Sequence, residues 1–491
     1  MYWVIAKSLA DGDGYRIPSL PGAPYAIHYP PLYPLFLSLA WRWTPAFPGN
    51  LKTAATLQAA LLPVYLALLL FVLRQIGLSW RRTFLIAALT VVTFQLVLLT
   101  ITLFSELLFG CFLLAAIFAV ERSIVVPSRA GIGWALAGGG LAGFAYLTRS
   151  AGLPLLAATP VFYFMRKRAP LCGYFLACAL PLAVGWHIWA WRHPNLDSAG
   201  YSTSYFAEYL RVIRVNGFWS SVYQQTESLS ASVAENFFPG ILQFLGGLPL
   251  HHLIFAAAIA GGIRIGKQRH WPLLVIFSAL YLVMIICWWN DGLARLVMPV
   301  WPALLAGVSA EACYFASLCQ KSMSTSRVEA PRKSIWMQAP TWAVLLAAAL
   351  LVIRNDRVTW ARVANEVTAE RDHRLRDLQA LSWIKAHAAP DTVVLAWKDS
   401  VSFLYTGVPS SHSLFIAVTP QQPGLKALAA SFASLPEQYR KGLLLLLRSD
   451  LGREFGDRPL APFIEQAEAL PEARLVYESP DSRVYSFALQ R

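Results

Sequence analysis

Residues 139–170 read GGLAGFAYLTRSAGLPLLAATPVFYFMRKRAP. Two apolar runs, at about 131–147 and 151–165, meet at Arg149, and the second stops at the triplet Arg166, Lys167 and Arg168. Apolar runs that reverse at one end and finish on a basic cluster at the other describe a chain crossing a bilayer. The basic end of each run marks the cytoplasmic side.

The same pattern extends in both directions. Further apolar runs lie near 54–74, 83–101, 107–121 and 170–190, then near 247–263, 271–289, 296–318 and 336–354. One set of loops holds Arg74, Arg81 and Arg82, then Arg122 and Arg129, then the 166–168 triplet. It continues with Arg264, Lys267 and Arg269, and ends with Lys321, Arg327, Arg332 and Lys333. All five loops alternate correctly, so they are assigned to the cytoplasm. Residues 1–50, 191–245 and the tail from about 355 are then extracytoplasmic.

Composition agrees. The 491 residues are 56% hydrophobic and 14% charged, against roughly 25% charged in soluble domains. The net charge of +14 follows from the basic loops rather than from one basic face, which argues against a nucleic-acid partner. The cysteines, Cys111, Cys172, Cys178, Cys287, Cys313 and Cys319, lie in or beside apolar runs. They indicate neither a disulfide framework nor a CxxC metal site. No repeat period and no low-complexity tract stands out.

The expected fold is therefore an all-α polytopic membrane bundle of about ten spans with a small C-terminal α/β domain. Its parts are a first extracytoplasmic segment with interfacial helices at 1–50, the bundle at 51–354, and an extracytoplasmic α/β domain at 355–491. In that tail, 359–387 reads as a helix, with Leu375, Leu378, Leu381 and Ile384 at helical spacing ahead of Pro390. TVVLAW at 392–397 and GLLLLL at 442–447 read as buried strands, and the chain closes on a hairpin turned at 480–482.

The opening, MYWVIAKSLADGDGY at 1–15, carries five apolar residues after Met1. A span needs about 20, and a signal peptide needs a basic leader and a longer apolar core. An extracytoplasmic segment of this length predicts one more helix upstream in the natural product; the alternative is a short tail that translocates unaided. Asp11 and Asp13, set among glycines, read as turn residues.

Four stretches at the extracytoplasmic ends of the runs gather polar groups. In AIHYPPLYPLFLSL at 26–39, Pro30 and Pro31 stiffen the entry to a helix and Pro34 fits its first turn. His28 and Tyr29 then stand at a helix entrance suited to an anion, or simply line a rigid, solvated entry. In TLFSELLF at 102–109, Glu106 at the membrane boundary suits a base, a metal ligand or a partner for a sugar hydroxyl. It equally suits a helix N-terminus capped by Ser105. Arg149 opposes the positive-inside bias, and its guanidinium suits a phosphate; otherwise it snorkels to headgroups. In WWNDGLARLVMPVWP at 288–302, Arg295 either pairs with Asp291 four residues earlier or supplies a second phosphate ligand. Cations and a carboxylate at one end of an apolar bundle suit a lipid-phosphate substrate.

In order, YWVIAKSLADGDGY, HYPPLYPLFLSLAW, SELLFGCFLLAA, GGLAGFAYLTRSAG and RLVMPVWPALL resemble motifs of the GT-C glycosyltransferases that use polyprenyl-phosphate sugars. That superfamily includes protein mannosyltransferases and lipid A aminoarabinose transferases. The similarity is greatest to its bacterial dolichyl-phosphate-mannose-protein mannosyltransferase-like branch, which the tail LSWIKAHAAPDTVVL also resembles. The resemblance implies sugar transfer from a polyprenyl-phosphate donor to a hydroxyl on an envelope lipid, polysaccharide or protein, at the extracytoplasmic face of a bacterial inner membrane. It places Glu106 at an acidic catalytic position in the second loop, with Arg149, Arg295 and His28 at positions near the donor; Tyr29, at the helix entrance beside His28, joins them as an expected ligand of the donor phosphate. Relatives carry their main catalytic carboxylate just upstream of the position of Tyr2, where this sequence has only Met1. The expectation is an incomplete enzyme, or a relative that binds lipid-linked sugar without turning it over. A transporter is the rival reading; internal repeats and mid-membrane charges, which it would predict, are not seen. A divalent metal is left open, because no ligand spacing defines a site and no metal ligand is assigned.

Overall fold

The computed structural model describes residues 1–193, 213–215, 217–237, 250–287, 293–324, 371–417, 435–448, 450, 461–468 and 473–488, with isolated positions between 357 and 368. The apolar run at 336–354 and Asp291 lie outside the described residues. Two compact units divide the chain. One comprises the described parts of Met1–Ala54, Trp189–Phe206 and Arg362–Arg491; the other, those of Ala55–Ile188 and Ala207–Ala361.

The first unit begins with α1 (Tyr2–Asp11), which ends because Gly12 takes a left-handed conformation at φ 89° and returns its N–H to Ser8 O. Lys7 pairs with Asp11 on the exposed side, and Ser8 Oγ donates to Gly14 O at 2.9 Å, so the Gly–Asp–Gly segment is a turn. α2 (Leu32–Trp43) starts at Pro31 with Pro34 in its first turn, as the spacing predicts. α1 and α2 pack together, and Trp41 Nε1 donates to Trp3 O at 3.0 Å, with the two rings 4.9 Å apart and tilted by 30°.

The second unit is helical. α3 (Asn50–Gln75), α4 (Trp80–Val92), α5 (Phe94–Ile101), α6 (Glu106–Val125), α7 (Ser128–Thr148), α8 (Leu153–Met165) and α9 (Ala169–Arg192) follow the first six apolar runs. α10 (Phe218–Phe237), α11 (Leu250–Gln268), α12 (Leu273–Cys287), the single turn α13 (Leu293–Leu296) and α14 (Trp301–Ser324) complete it. Among the described residues, α3, α6, α7 and α9 are each long and apolar enough to cross a membrane, and the bent pair α4 and α5 is so when taken together. This is a polytopic helical membrane protein.

The run at 83–101 reads as one helix but folds as two, bent by 60°. Thr93 at the break has extended backbone dihedrals, φ −63° and ψ 125°. Its hydroxyl donates back to Leu89 O at 2.8 Å and accepts from Trp301 Nε1 at 3.1 Å, so side chains satisfy groups that a continuous helix would have used.

Small residues set the closest helix approaches, as expected where lipid removes the hydrophobic drive between helices. A methyl group at Gly261 of α11 would run into the backbone of Gly307 in α14, and one at Gly307 into Ala258 O. Gly139 in α7 lies equally close to Phe175 O of α9. At the start of α12, buried Glu121 accepts from Leu273 N at 2.7 Å, placing a carboxylate where the helix dipole favours it.

Farther along, the first unit resumes with α15 (Arg371–His387), β1 (Thr392–Ala396), α16 (Asp399–Thr406), β2 (Ser410–Ser411) and α17 (His412–Ala417). β3 (Lys441–Leu447), α18 (Ala461–Glu468), β4 (Arg474–Glu478) and β5 (Ser482–Ala488) close it. The sheet order is β2-β1-β3-β5-β4, with β1 parallel to β2 and β3, and β5 antiparallel to β3 and β4. Both faces of β3 are covered: Leu444 and Leu446 join Val393, Leu395 and Phe487, while Leu443, Leu445 and Leu447 join Val394, Leu381 and Ile384. That is why both central strands read as unbroken apolar runs. Gly442 lies opposite Phe487, whose ring occupies the space a Cβ would fill. Leu375, expected on the buried stripe of the 359–387 helix, is exposed, and α15 packs through Ala380, Leu381 and Ile384 instead.

Candidate functional site

The second unit brings Glu106, Arg149 and Arg295 together. Glu106 is the first residue of α6, and its side chain is 3% exposed. Arg149 caps the C-terminus of α7, where extended dihedrals turn the chain away from the helix and the dipole favours a cation. Its Nη1 lies 2.5 Å from Glu106 Oε1 and donates to Ser105 Oγ at 3.1 Å. Ser105 occupies the N-cap position of α6, but its hydroxyl makes no cap; it accepts from Arg149. The capping role that the sequence allows for Ser105 is therefore replaced by an arginine contact.

Arg295, on α13, approaches the same carboxylate oxygen, with Nε 2.9 Å from Glu106 Oε1. The distance is that of an ion pair, but the alignment is not that of a hydrogen bond, since both Arg295 Nε and Glu106 Oε1 count as buried atoms without one. The attraction is coulombic, and the guanidinium stacks over Phe104 at 4.8 Å. Arg295 is 33% exposed, against 15% for Arg149, so it is the more open of the two cations. Tyr281 OH donates to Leu296 O at 3.0 Å, tying α13 to α12.

Gln58, fully buried on α3, holds the segment between α5 and α6. Its Nε2 donates to Leu99 O at 3.1 Å and to Phe104 O at 2.7 Å. Gln58, Phe104 and Tyr281 escaped the sequence reading. Each is an ordinary residue of an apolar run, and only the polarity of Gln58 inside such a run offered a signal.

The arithmetic of the site is one carboxylate against two guanidiniums. Glu106 neutralises one charge and leaves about one positive charge facing outward through Arg295. Such a centre suits an anion with several acceptor oxygens, which a guanidinium meets with parallel N–H donors. Oε1 takes both contacts; Oε2 is buried and has no hydrogen-bond partner among the described residues.

His28 and Tyr29 belong to the first unit. They precede α2 in an aromatic cluster: Tyr15 OH donates to Tyr29 O at 2.8 Å, Tyr2 lies 4.8 Å from the Tyr29 ring, and the His28 and Tyr29 rings are 4.7 Å apart, edge to face. They stand ahead of the first helical turn, which opens at Leu32 after the Pro31 cap.

No protein-family model matches the chain, and no curated protein sequence matches it. Solved structures do. ArnT from Cupriavidus metallidurans bound to undecaprenyl phosphate is 13% identical, with a TM-score of 0.52 over 99% of this chain and 92% of that one. The Archaeoglobus fulgidus oligosaccharyltransferase is 11% identical in its apo form, with a TM-score of 0.59 over 99% of this chain and 70% of that one. Its complex with Zn and sulfate is 14% identical at a TM-score of 0.52, over 99% and 68%. At these identities the likeness is one of fold.

Proposed function

We propose that this chain is an integral-membrane glycosyltransferase that moves a sugar from a polyprenyl-phosphate donor to a hydroxyl acceptor at the extracytoplasmic face. The observation that carries the reading is the buried Glu106 carboxylate joining Arg149 and Arg295 at one end of an apolar bundle. Similarity of fold to a transferase bound to undecaprenyl phosphate supports it.

In this reading the acceptor oxygen attacks the anomeric carbon, its proton passes to a carboxylate, and the C–O bond to the donor phosphate breaks. The bonding electrons leave with the phosphate. Arg149 and Arg295 face the charge that develops there, which is where fixed cations lower a barrier most. Glu106 holds the two guanidiniums apart and in register, and is the candidate carboxylate at this centre. His28 and Tyr29 enter as donor ligands on the sequence reading alone. The acceptor class is an envelope lipid, polysaccharide or protein.

The test is a binding and transfer assay on the full chain in lipid vesicles. Undecaprenyl phosphate should bind the wild type and bind at least about tenfold more weakly to Arg295→Ala. Polyprenyl-phosphate sugars should yield free polyprenyl phosphate when an acceptor is present. Binding without release would identify a binder of lipid-linked sugar, and no binding would refute the reading.

A further inference from the structure

We propose a second site in the helical unit: a divalent transition-metal site of the zinc class, formed by Glu227 of α10 with His251 and His252 at the start of α11. It stands independently of the proposed glycosyl transfer.

The donor atoms are already assembled. His252 Nε2 lies 3.0 Å from Glu227 Oε1, and His251 Nε2 lies 3.4 Å from Glu227 Oε2. One ligand atom from each residue falls within 4.8 Å of the others, and the two imidazole rings are 4.0 Å apart. Around a tetrahedral zinc with bonds of about 2.0–2.1 Å, ligand atoms stand roughly 3.3 Å from one another. The two nitrogens stand near that separation from different oxygens of the one carboxylate, and a rotation of the Glu227 carboxylate with a small shift of His251 brings one oxygen and both nitrogens to it, leaving His252 on Ser230.

The hydrogen bonds around His252 orient its ring toward the carboxylate. Ser230 Oγ donates its only proton to Glu227 O at 2.9 Å. The 3.2 Å contact between Ser230 Oγ and His252 Nδ1 must then run from Nδ1–H to the hydroxyl. This tautomer is assigned from the network. So arranged, His252 presents Nε2 to a carboxylate oxygen 3.0 Å away. Ser230 then acts as the outer partner that orients a metal-ligating imidazole. His251 offers a second imidazole, and its Nδ1 is buried without a hydrogen-bond partner among the described residues.

Two imidazoles and a carboxylate form a borderline donor set that selects zinc-class ions over magnesium or calcium. Three protein ligands leave the fourth position to water. The half-exposed carboxylate and His252 give an ion its way in. Bound there, the metal fastens α10 to α11. Because α10 also packs on α13, the metal steadies the element that carries Arg295.

The experiment uses the full chain in detergent, freed of any polyhistidine tag and stripped with a chelator. Zinc content is measured after equilibrium dialysis, and the melting temperature with and without Zn2+. One equivalent per chain and a rise in melting temperature are expected for the wild type, with affinity at least about tenfold lower in Glu227→Gln and in His252→Ala. A wild type that takes up no zinc, or variants that bind as tightly as it does, would overturn the proposal. Should a variant not fold, pulsed EPR of the Cu2+-loaded wild type decides: two coupled imidazoles are expected, and one or none refutes the site.

Discussion

Arg149 reaches Glu106 from the C-cap of one helix to the first residue of its predecessor, with Nη1 and Oε1 2.5 Å apart. The loop-end geometry that makes this contact also sends Arg149 to Ser105. One guanidinium thus fixes how the two helix ends meet.

Glu106→Ala should leave two guanidiniums facing each other with no counter-charge. Breaking a buried pair from one side costs about 3–5 kcal/mol, so the melting temperature should fall by several degrees. The double variant Glu106→Ala/Arg295→Ala should recover part of that loss, because the residual repulsion goes with the second charge. Thermal unfolding of both variants in detergent measures the coupling.

Gln58→Leu removes a donor from the buried Leu99 O and the partly buried Phe104 O. Stranding buried acceptors costs about 1–3 kcal/mol each. Hydrogen exchange should quicken in residues 102–106 while α6 beyond its first turn stays protected. Uniform exchange across α6 would mean that Gln58 does not hold the loop.

Gly261→Ala should be severely destabilising, because its new methyl meets the Gly307 backbone and no side chain can move aside. Gly262→Ala is the internal control. Nothing lies within 4 Å of a Cβ there, and alanine's helix propensity should make it neutral or stabilising by up to about 1 kcal/mol. Expression level and melting temperature of the pair read this out.

Burial pushes the Asp399 carboxyl above its usual 3.8, an effect only partly offset by the Ser400 donors and His412. A folded state that holds this proton more tightly than the unfolded chain is most stabilised below the unfolded value, and loses that stability as pH rises through the raised one. Asp399→Asn keeps an oxygen for Ser400 N–H, now 2.5 Å from Oδ1, and cannot ionise. Its melting temperature relative to wild type should therefore climb from strongly to mildly acidic pH and then level off. A constant difference across that range would show that Asp399 does not titrate in the fold.

The bundle was legible because burial in lipid demands long apolar runs, and loop charge then orders them. The three charged residues of the site stood out for the same reason: Glu106, Arg149 and Arg295 are costly where they lie. Their meeting was not legible, since it depends on α6, α7 and α13 converging, and no spacing links positions so far apart. Glu227 and the His251–His252 pair are hidden likewise, by the distance between α10 and α11 along the chain. The break at Thr93 was invisible because threonine is common in apolar helices, and only Trp301 from α14 reveals its use. The first 54 residues and the tail, read as separate segments, share one compact unit, which rests on pairings such as Ser410 N to Ser19 O at 2.7 Å.

The pairing of Gly442 with Phe487 carries a consequence for how the α/β sheet finds its alignment. Leu443 to Leu447 are chemically identical steps, and both sides of the strand are greasy. Sliding β3 by two residues would still exchange leucine for leucine at three of those five positions. Inside the run, the leucines carry no address. An omission adds one: the Phe487 ring fills the space of a missing side chain at Gly442, and a slip that brought Leu444 opposite it would drive a leucine into the ring. One absent side chain is an index mark in a strand whose inner positions look alike.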